Sequence, residues 1–101
     1  MERNAKIIWT EPAKNDLKYI FDFISEFSHE IADKTIDKII EKTEILLVEG
    51  FKFSGQVDDI NPNYRRLIEG SYKIIYKVKS DEIIIHGVFD TRENPDKLEK
   101  R

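Results

Sequence analysis

The sequence predicts an α+β domain of order β-α-α-β-β-β, with a helical hairpin packed on one face of a mainly antiparallel four-stranded sheet. Three observations predict it. Residues 11–47 carry apolar side chains at helical spacing, residues 64–89 form short β-branched and aromatic runs separated by two-residue turn sequences, and 101 residues suit one domain, 1–101.

Lys6-Ile7-Ile8-Trp9-Thr10 is β-branched and aromatic and stops at Glu-Pro, so a strand is expected over 6–10. Thr10 is placed to cap a helix over 11–27, with Glu11 favourable to the dipole and Pro12 in the first turn. Its stripe is Ala13, Leu17, Ile20, Phe21, Ile24 and Phe27. Ser28 caps a second helix over 29–49, striped by Ala32, Ile36, Ile39, Ile40, Thr43, Leu46 and Leu47, and Gly50 ends it. Two amphipathic helices with almost no linker form a hairpin whose apolar stripes need a flat partner.

Residues 50–63 lack periodicity and hold Gly50, Gly55, Asp58, Asp59, Asn61 and Pro62, which predicts a long loop. Strands over 64–69, 72–79 and 82–89 follow, joined by Gly70-Ser71 and Ser80-Asp81. In the middle one, Tyr72, Ile74, Tyr76 and Val78 alternate with Lys73, Ile75, Lys77 and Lys79, which predicts one face under the helices and one open, partly basic face. A C-terminal tail is expected over 90–101.

With 17 basic and 20 acidic residues the net charge is −3, so the global positive charge of a nucleic-acid binder is missing. The chain has no cysteine, which removes disulfides, thiol nucleophiles and thiolate metal sites, and fits a reducing compartment. The first apolar run, Ile7 to Trp9, is far short of a signal sequence or membrane span, so a cytoplasmic protein with no membrane partner is expected.

Conventional catalysis is not written here. His29 and His86 are the only neutral-pH bases, no Gly-x-Ser-x-Gly elbow exists, and the glycines are too scattered to cradle phosphate. His29 with Asp33 offers two ligands where a dedicated metal site needs three or more, so neither metal nor cofactor is expected.

Between 64 and 79 five basic residues, Arg65, Arg66, Lys73, Lys77 and Lys79, face only Glu69. Arg65, Arg66, Lys73 and Arg92, gathered on the open face, could stabilise charge developing on a phosphodiester without a metal. Exposed strands also carry lysine for solubility and edge protection, which leaves a structural role open. Tyr64, Tyr72 and Tyr76 interleave the strip and could stack bases, although at least two of them fit the core face. Tyr19 and Phe23 fall off the first helix stripe, and Phe51 and Phe53 lie in the loop; a partner surface would use these four, unless the loop tucks its phenylalanines onto the core.

Tyr64-Arg65-Arg66-Leu67-Ile68-Glu69-Gly70-Ser71-Tyr72-Lys73-Ile74-Ile75-Tyr76-Lys77-Val78 resembles the hairpin of the ParE/RelE superfamily of toxins from bacterial toxin–antitoxin modules, often called plasmid-stabilisation proteins. Trp9-Thr10-Glu11-Pro12-Ala13 is similar to the strand-to-helix entry of that superfamily, and Val88-Phe89-Asp90-Thr91-Arg92-Glu93-Asn94-Pro95 to its closing strand and basic exit. The resemblance implies a growth-inhibiting toxin with a RelE/ParE-like fold, held inactive by a cognate antitoxin whose disordered segment folds over it.

Two mechanisms divide the superfamily. RelE-like members cut mRNA in the ribosomal A site among basic residues, often with a tyrosine near the C-terminus; ParE-like members poison DNA gyrase. Lys73 stands where the nuclease group has an arginine beside the hairpin tyrosine, Arg92 at its basic position after the last strand, and Arg65 with Arg66 in its upstream basic stretch. After Arg92 no tyrosine or histidine follows, while Glu93, Asp96 and Glu99 add negative charge. The resemblance therefore favours the ParE-like branch acting on gyrase. The alternatives are a ribosome-dependent mRNA endoribonuclease and a non-enzymatic antitoxin-binding module with little toxicity.

Overall fold

Two helices lie across one face of a five-stranded mixed sheet in the computed structural model, which describes residues 5–48 and 50–92. In chain order these are β1 (Lys6–Trp9), α1 (Glu11–Ser25), α2 (His29–Glu44) closed by a 3₁₀ turn (Ile45–Leu47), β2 (Gln56–Val57), β3 (Arg65–Glu69), β4 (Tyr72–Lys79) and β5 (Glu82–Asp90). The sheet order is β1-β5-β4-β3-β2, with β1 parallel to β5 and the other pairs antiparallel.

Local chemistry places each joint. The Thr10 hydroxyl accepts from the Ala13 amide at 3.3 Å and donates to the Ile85 carbonyl at 2.8 Å, so one side chain caps α1 and ties it to β5. Ser28 caps α2 by accepting from the Ile31 amide at 3.1 Å. The hairpin turns put Gly70 at φ +60° and Ser80 at φ +59°, the left-handed region that two-residue turns demand.

The helices bury Ala13, Ile20, Ile39 and Leu46 against Leu67, Ile74, Tyr76, Ile83, Ile85 and Val88 of the sheet. Each fully buried isoleucine contributes about 1.5–3 kcal/mol. Between Ile75 and Tyr76 the β4–β5 register shifts, Ile75 facing Gly87 and Tyr76 facing Ile85, so His86 is the extra residue of a bulge. The bulge keeps both Ile85 and Val88 on the helix side and aims His86 at Tyr64, ring centroids 4.9 Å apart.

The structure corrects several expectations. The sheet has five strands because Gln56–Val57 pairs with Arg66 and Arg65 inside the segment expected to be all loop. β1 ends at Trp9 because Thr10 is the cap, β3 starts at Arg65 because Tyr64 closes the preceding turn onto Asn61, and β5 runs on to Asp90. α1 stops at Ser25, so Phe27 leaves the core stripe: it is 79% exposed and meets Phe23 edge-on at 5.8 Å. α2 stops at Glu44, and the tighter 3₁₀ turn buries Leu46 while turning Leu47 outward. The open face is not wet throughout, because residues 58–64 fold back over it and bury Lys73 and Ile75. The expected tail beyond Arg92, and Glu49 at the expected end of the second helix, lie outside the described residues. Among the described residues no helix is long and apolar enough to cross a membrane.

Candidate functional site

The basic strip is built by β3, β4 and the segment that folds over them. Register puts Arg66, opposite Ile75, and Lys73, opposite Ile68, on the face away from the helices. Arg65, opposite Tyr76, lies on the helix side, as does Asp90, opposite Tyr72. The four predicted cations are therefore divided between two faces of the sheet.

Each is engaged within the chain. Lys73, 6% exposed, donates to Asp58 Oδ1 at 2.9 Å, and Asp58 is itself 3% exposed. Asp58 Oδ2 accepts from the Asn61 amide at 2.8 Å, so the carboxylate also folds the turn that covers it. Burial pushes the Asp58 carboxyl up, but the Lys73 hydrogen bond, the Asn61 amide and the lysine charge outweigh that and hold it below its ordinary value. Arg66 donates to the Val57 carbonyl and Asp59 Oδ1, both at 3.2 Å, and to Gln56 Oε1 at 3.1 Å, and sits 3.8 Å from Asp58. Arg65 donates to the carbonyls of Phe53 and Gly55 at 3.1 and 2.8 Å and lies over the Phe53 ring at 5.2 Å. Arg92 forms a two-pronged pair with Asp90, Nε and Nη2 at 2.9 and 2.8 Å, which lowers the carboxyl below its ordinary value against a smaller burial penalty.

A cleft of about 140 Å³ opens beside the Lys73–Asp58 pair, lined by Pro12, Asp58, Asn61, Tyr64, Ile75, His86 and Phe89. Burial, then the nearby charge of Lys77, pushes His86 below its ordinary value, which leaves a neutral ring at pH 7. Lys77 lies over the Tyr64 ring at 5.1 Å. Tyr76 is fully buried, its hydroxyl accepting from the Gly55 amide at 2.9 Å, and burial raises it above its ordinary value. Of the three tyrosines considered for base stacking, Tyr76 is thus core, Tyr72 is half-buried on the helix side, and Tyr64 is tilted against His86 within the chain. Among the described residues no group of three or more His, Cys, Asp or Glu side chains could hold a metal ion.

Tyr19 and Phe23 are more than half exposed, as is Phe53, with Phe51 close behind; the loop does not tuck its phenylalanines away. Sequence reasoning passed over Asp58 and Asp59 as anchors. The only available signal was an acidic pair in a loop adjoining a basic strip, which does not say which cation it meets.

Comparison with known proteins places this geometry. Residues 7–95 match the family model of the ParE toxin of type II toxin–antitoxin systems. A solved structure of a chromosomal ParDE toxin–antitoxin system from P. aeruginosa is similar at 26% identity and TM-score 0.73, covering 85% of this chain and 95% of that one. The RelB–RelE antitoxin–toxin complex from Methanococcus jannaschii shares the fold at 24% identity and TM-score 0.57, covering 90% and 98%. A conserved hypothetical protein from Helicobacter pylori does so at 16% and 0.57, covering 88% and 97%. No curated protein matches the chain by sequence. A family match spanning nearly the whole domain, on a helical hairpin over a mixed sheet, leads to one conclusion: the chain belongs to the ParE toxin family of type II toxin–antitoxin systems.

Proposed function

We propose that this toxin acts in the cytoplasm by protein contact with DNA gyrase and that a cognate antitoxin holds it inactive. The observation that carries the reading is the engagement of all four candidate cations inside the chain: Lys73 by Asp58, Arg66 by Asp59, Arg65 by two carbonyls and Arg92 by Asp90. Cleavage of a phosphodiester needs donors aimed at the charge that develops on it. Here Lys73, Arg66 and Arg92 are already paired with carboxylates of the chain, and the Lys73 ammonium is buried. A net charge of −3 further opposes approach to ribosomal RNA. The sequence after Arg92 also lacks the tyrosine of the nuclease group.

The antitoxin partner is supported by family membership and by the similarity to the structure of a ParDE toxin–antitoxin system from P. aeruginosa. Tyr19, Phe23, Phe51 and Phe53 are the surface it covers, since exposed aromatics of this size are what a folding segment buries. The test is a supercoiling assay with purified toxin and gyrase, run beside a translation extract scored for mRNA cleavage. Inhibited supercoiling with intact mRNA is the expected result; cleaved mRNA with untouched supercoiling overturns the reading. Phe23→Asp is expected to weaken copurification of the antitoxin.

A further inference from the structure

The cleft beside Ile75 owes its shape to the bulge in β5. The Asp16 carboxylate of α1 accepts from the Val88 amide at 2.9 Å, which pins the bulge and keeps His86, its extra residue, at the cleft wall. A Cβ on Gly87 would stand 2.9 Å from the Phe89 ring, so glycine lets that ring lie along its own strand and form another wall. With Tyr64, Ile75 and Pro12 these side chains enclose about 140 Å³, room for a single small ring system.

The charges around the cleft are already spent. Asp58 uses one oxygen on the buried Lys73 ammonium at 2.9 Å and the other on the Asn61 amide at 2.8 Å. Lys77 lies over the Tyr64 ring and does not line the cleft. An ion entering here is desolvated without a counter-charge. The hydrogen-bonding groups, by contrast, are unspent. Among the described residues neither ring nitrogen of His86 nor the side-chain amide nitrogen of Asn61 has a hydrogen-bond partner. Burial and the Lys77 charge keep the imidazole neutral, so one ring nitrogen accepts while the other donates. Apolar and aromatic walls with a few convergent polar groups are the usual make-up of a small-molecule site.

We propose that this cleft binds a small uncharged aromatic molecule carrying one N–H or O–H on its edge, an indole or a phenol, packed against Tyr64 and Phe89 and hydrogen-bonded by His86. The inference goes beyond the gyrase reading and does not depend on it: the supercoiling assay decides that reading, and ligand titrations decide this one.

The test titrates the ¹⁵N-labelled full chain at pH 7 with indole, 1-methylindole, benzoate and benzylammonium. Indole is expected to shift the amides of Tyr64, Ile75, His86 and Phe89 saturably and to bind about fivefold tighter than 1-methylindole, which lacks the N–H donor. Benzoate and benzylammonium are expected to bind at least about tenfold more weakly than indole. His86→Phe, which keeps a ring and removes both nitrogens, is expected to erase the preference for indole over 1-methylindole. His86→Gln, which keeps a donor and an acceptor, is expected to retain most of it. N-acetyltryptophanamide distinguishes the sources of such a ring: weaker binding than indole assigns the cleft to a free molecule, and tighter binding to an aromatic side chain of a partner. Shifts confined to another surface, no saturable binding of indole, a charged probe that binds as tightly as indole, or a preference that survives His86→Phe overturns the proposal.

Discussion

Replacing Asp58 by alanine removes the carboxylate that pairs the buried Lys73 ammonium and accepts from the Asn61 amide. Both partners of the ion pair are under 8% exposed, so water cannot take over the missing charge without opening the segment over the sheet. Stranding a buried cation costs about 3–5 kcal/mol. Against a total stability of about 5–15 kcal/mol, that is a large share. For a domain of this size each kcal/mol lowers the melting temperature by about 4–8 °C, so a loss of about 3–5 kcal/mol corresponds to Asp58→Ala melting roughly 12–40 °C lower. Circular dichroism melts and urea titrations read this directly. Lys73→Met added to Asp58→Ala is expected to recover most of the loss, because the stranded charge is gone. The pair also sets an acid limit. Asp58 titrates lower in the folded chain than unfolded, so its contribution is present above the ordinary carboxyl range and lost as pH falls through the folded value. A single-mutant loss under 1 kcal/mol, or a double mutant no better than Asp58→Ala, refutes the reasoning.

Other outcomes follow from the same contacts. A Cβ on Gly55 would stand 2.6 Å from the Tyr76 hydroxyl and 2.7 Å from the Arg66 carbonyl, so Gly55→Ala is expected to lose about 1–3 kcal/mol in chemical unfolding. His86 binds its proton less readily folded than unfolded, so stability is expected to fall as pH drops through about 6.5 until the folded ring also protonates; His86→Gln should flatten that slope in pH-dependent melts. Arg66→Ala is expected to leave growth inhibition in place while loosening the 56–59 segment, seen as faster amide exchange at Val57 and Asp59.

Much of the fold was legible because its signals are local. Thr10 and Ser28 announce their helices by residue type and position, and alternation through Tyr72–Lys79 assigns the core side of β4. Errors arose where tertiary context decides. Phe27 continues the α1 period on paper, but the chain has already turned after Ser25, and periodicity carries no stop signal there. Gln56–Val57 is too short to show any period and is a strand only because β3 offers an edge. The site was half legible. Composition finds the cations of the strip, but whether Lys73 meets solvent depends on Asp58, fifteen residues away across a loop whose path no local pattern fixes.

The toxin is proposed to stop DNA synthesis before translation. Pulse labelling after induced expression without antitoxin, following thymidine and amino-acid incorporation in the same culture, tests it most directly. With the basic strip engaged inside the chain, DNA synthesis is expected to fail first while translation continues. Translation collapsing first, with thymidine incorporation unchanged, would contradict the account.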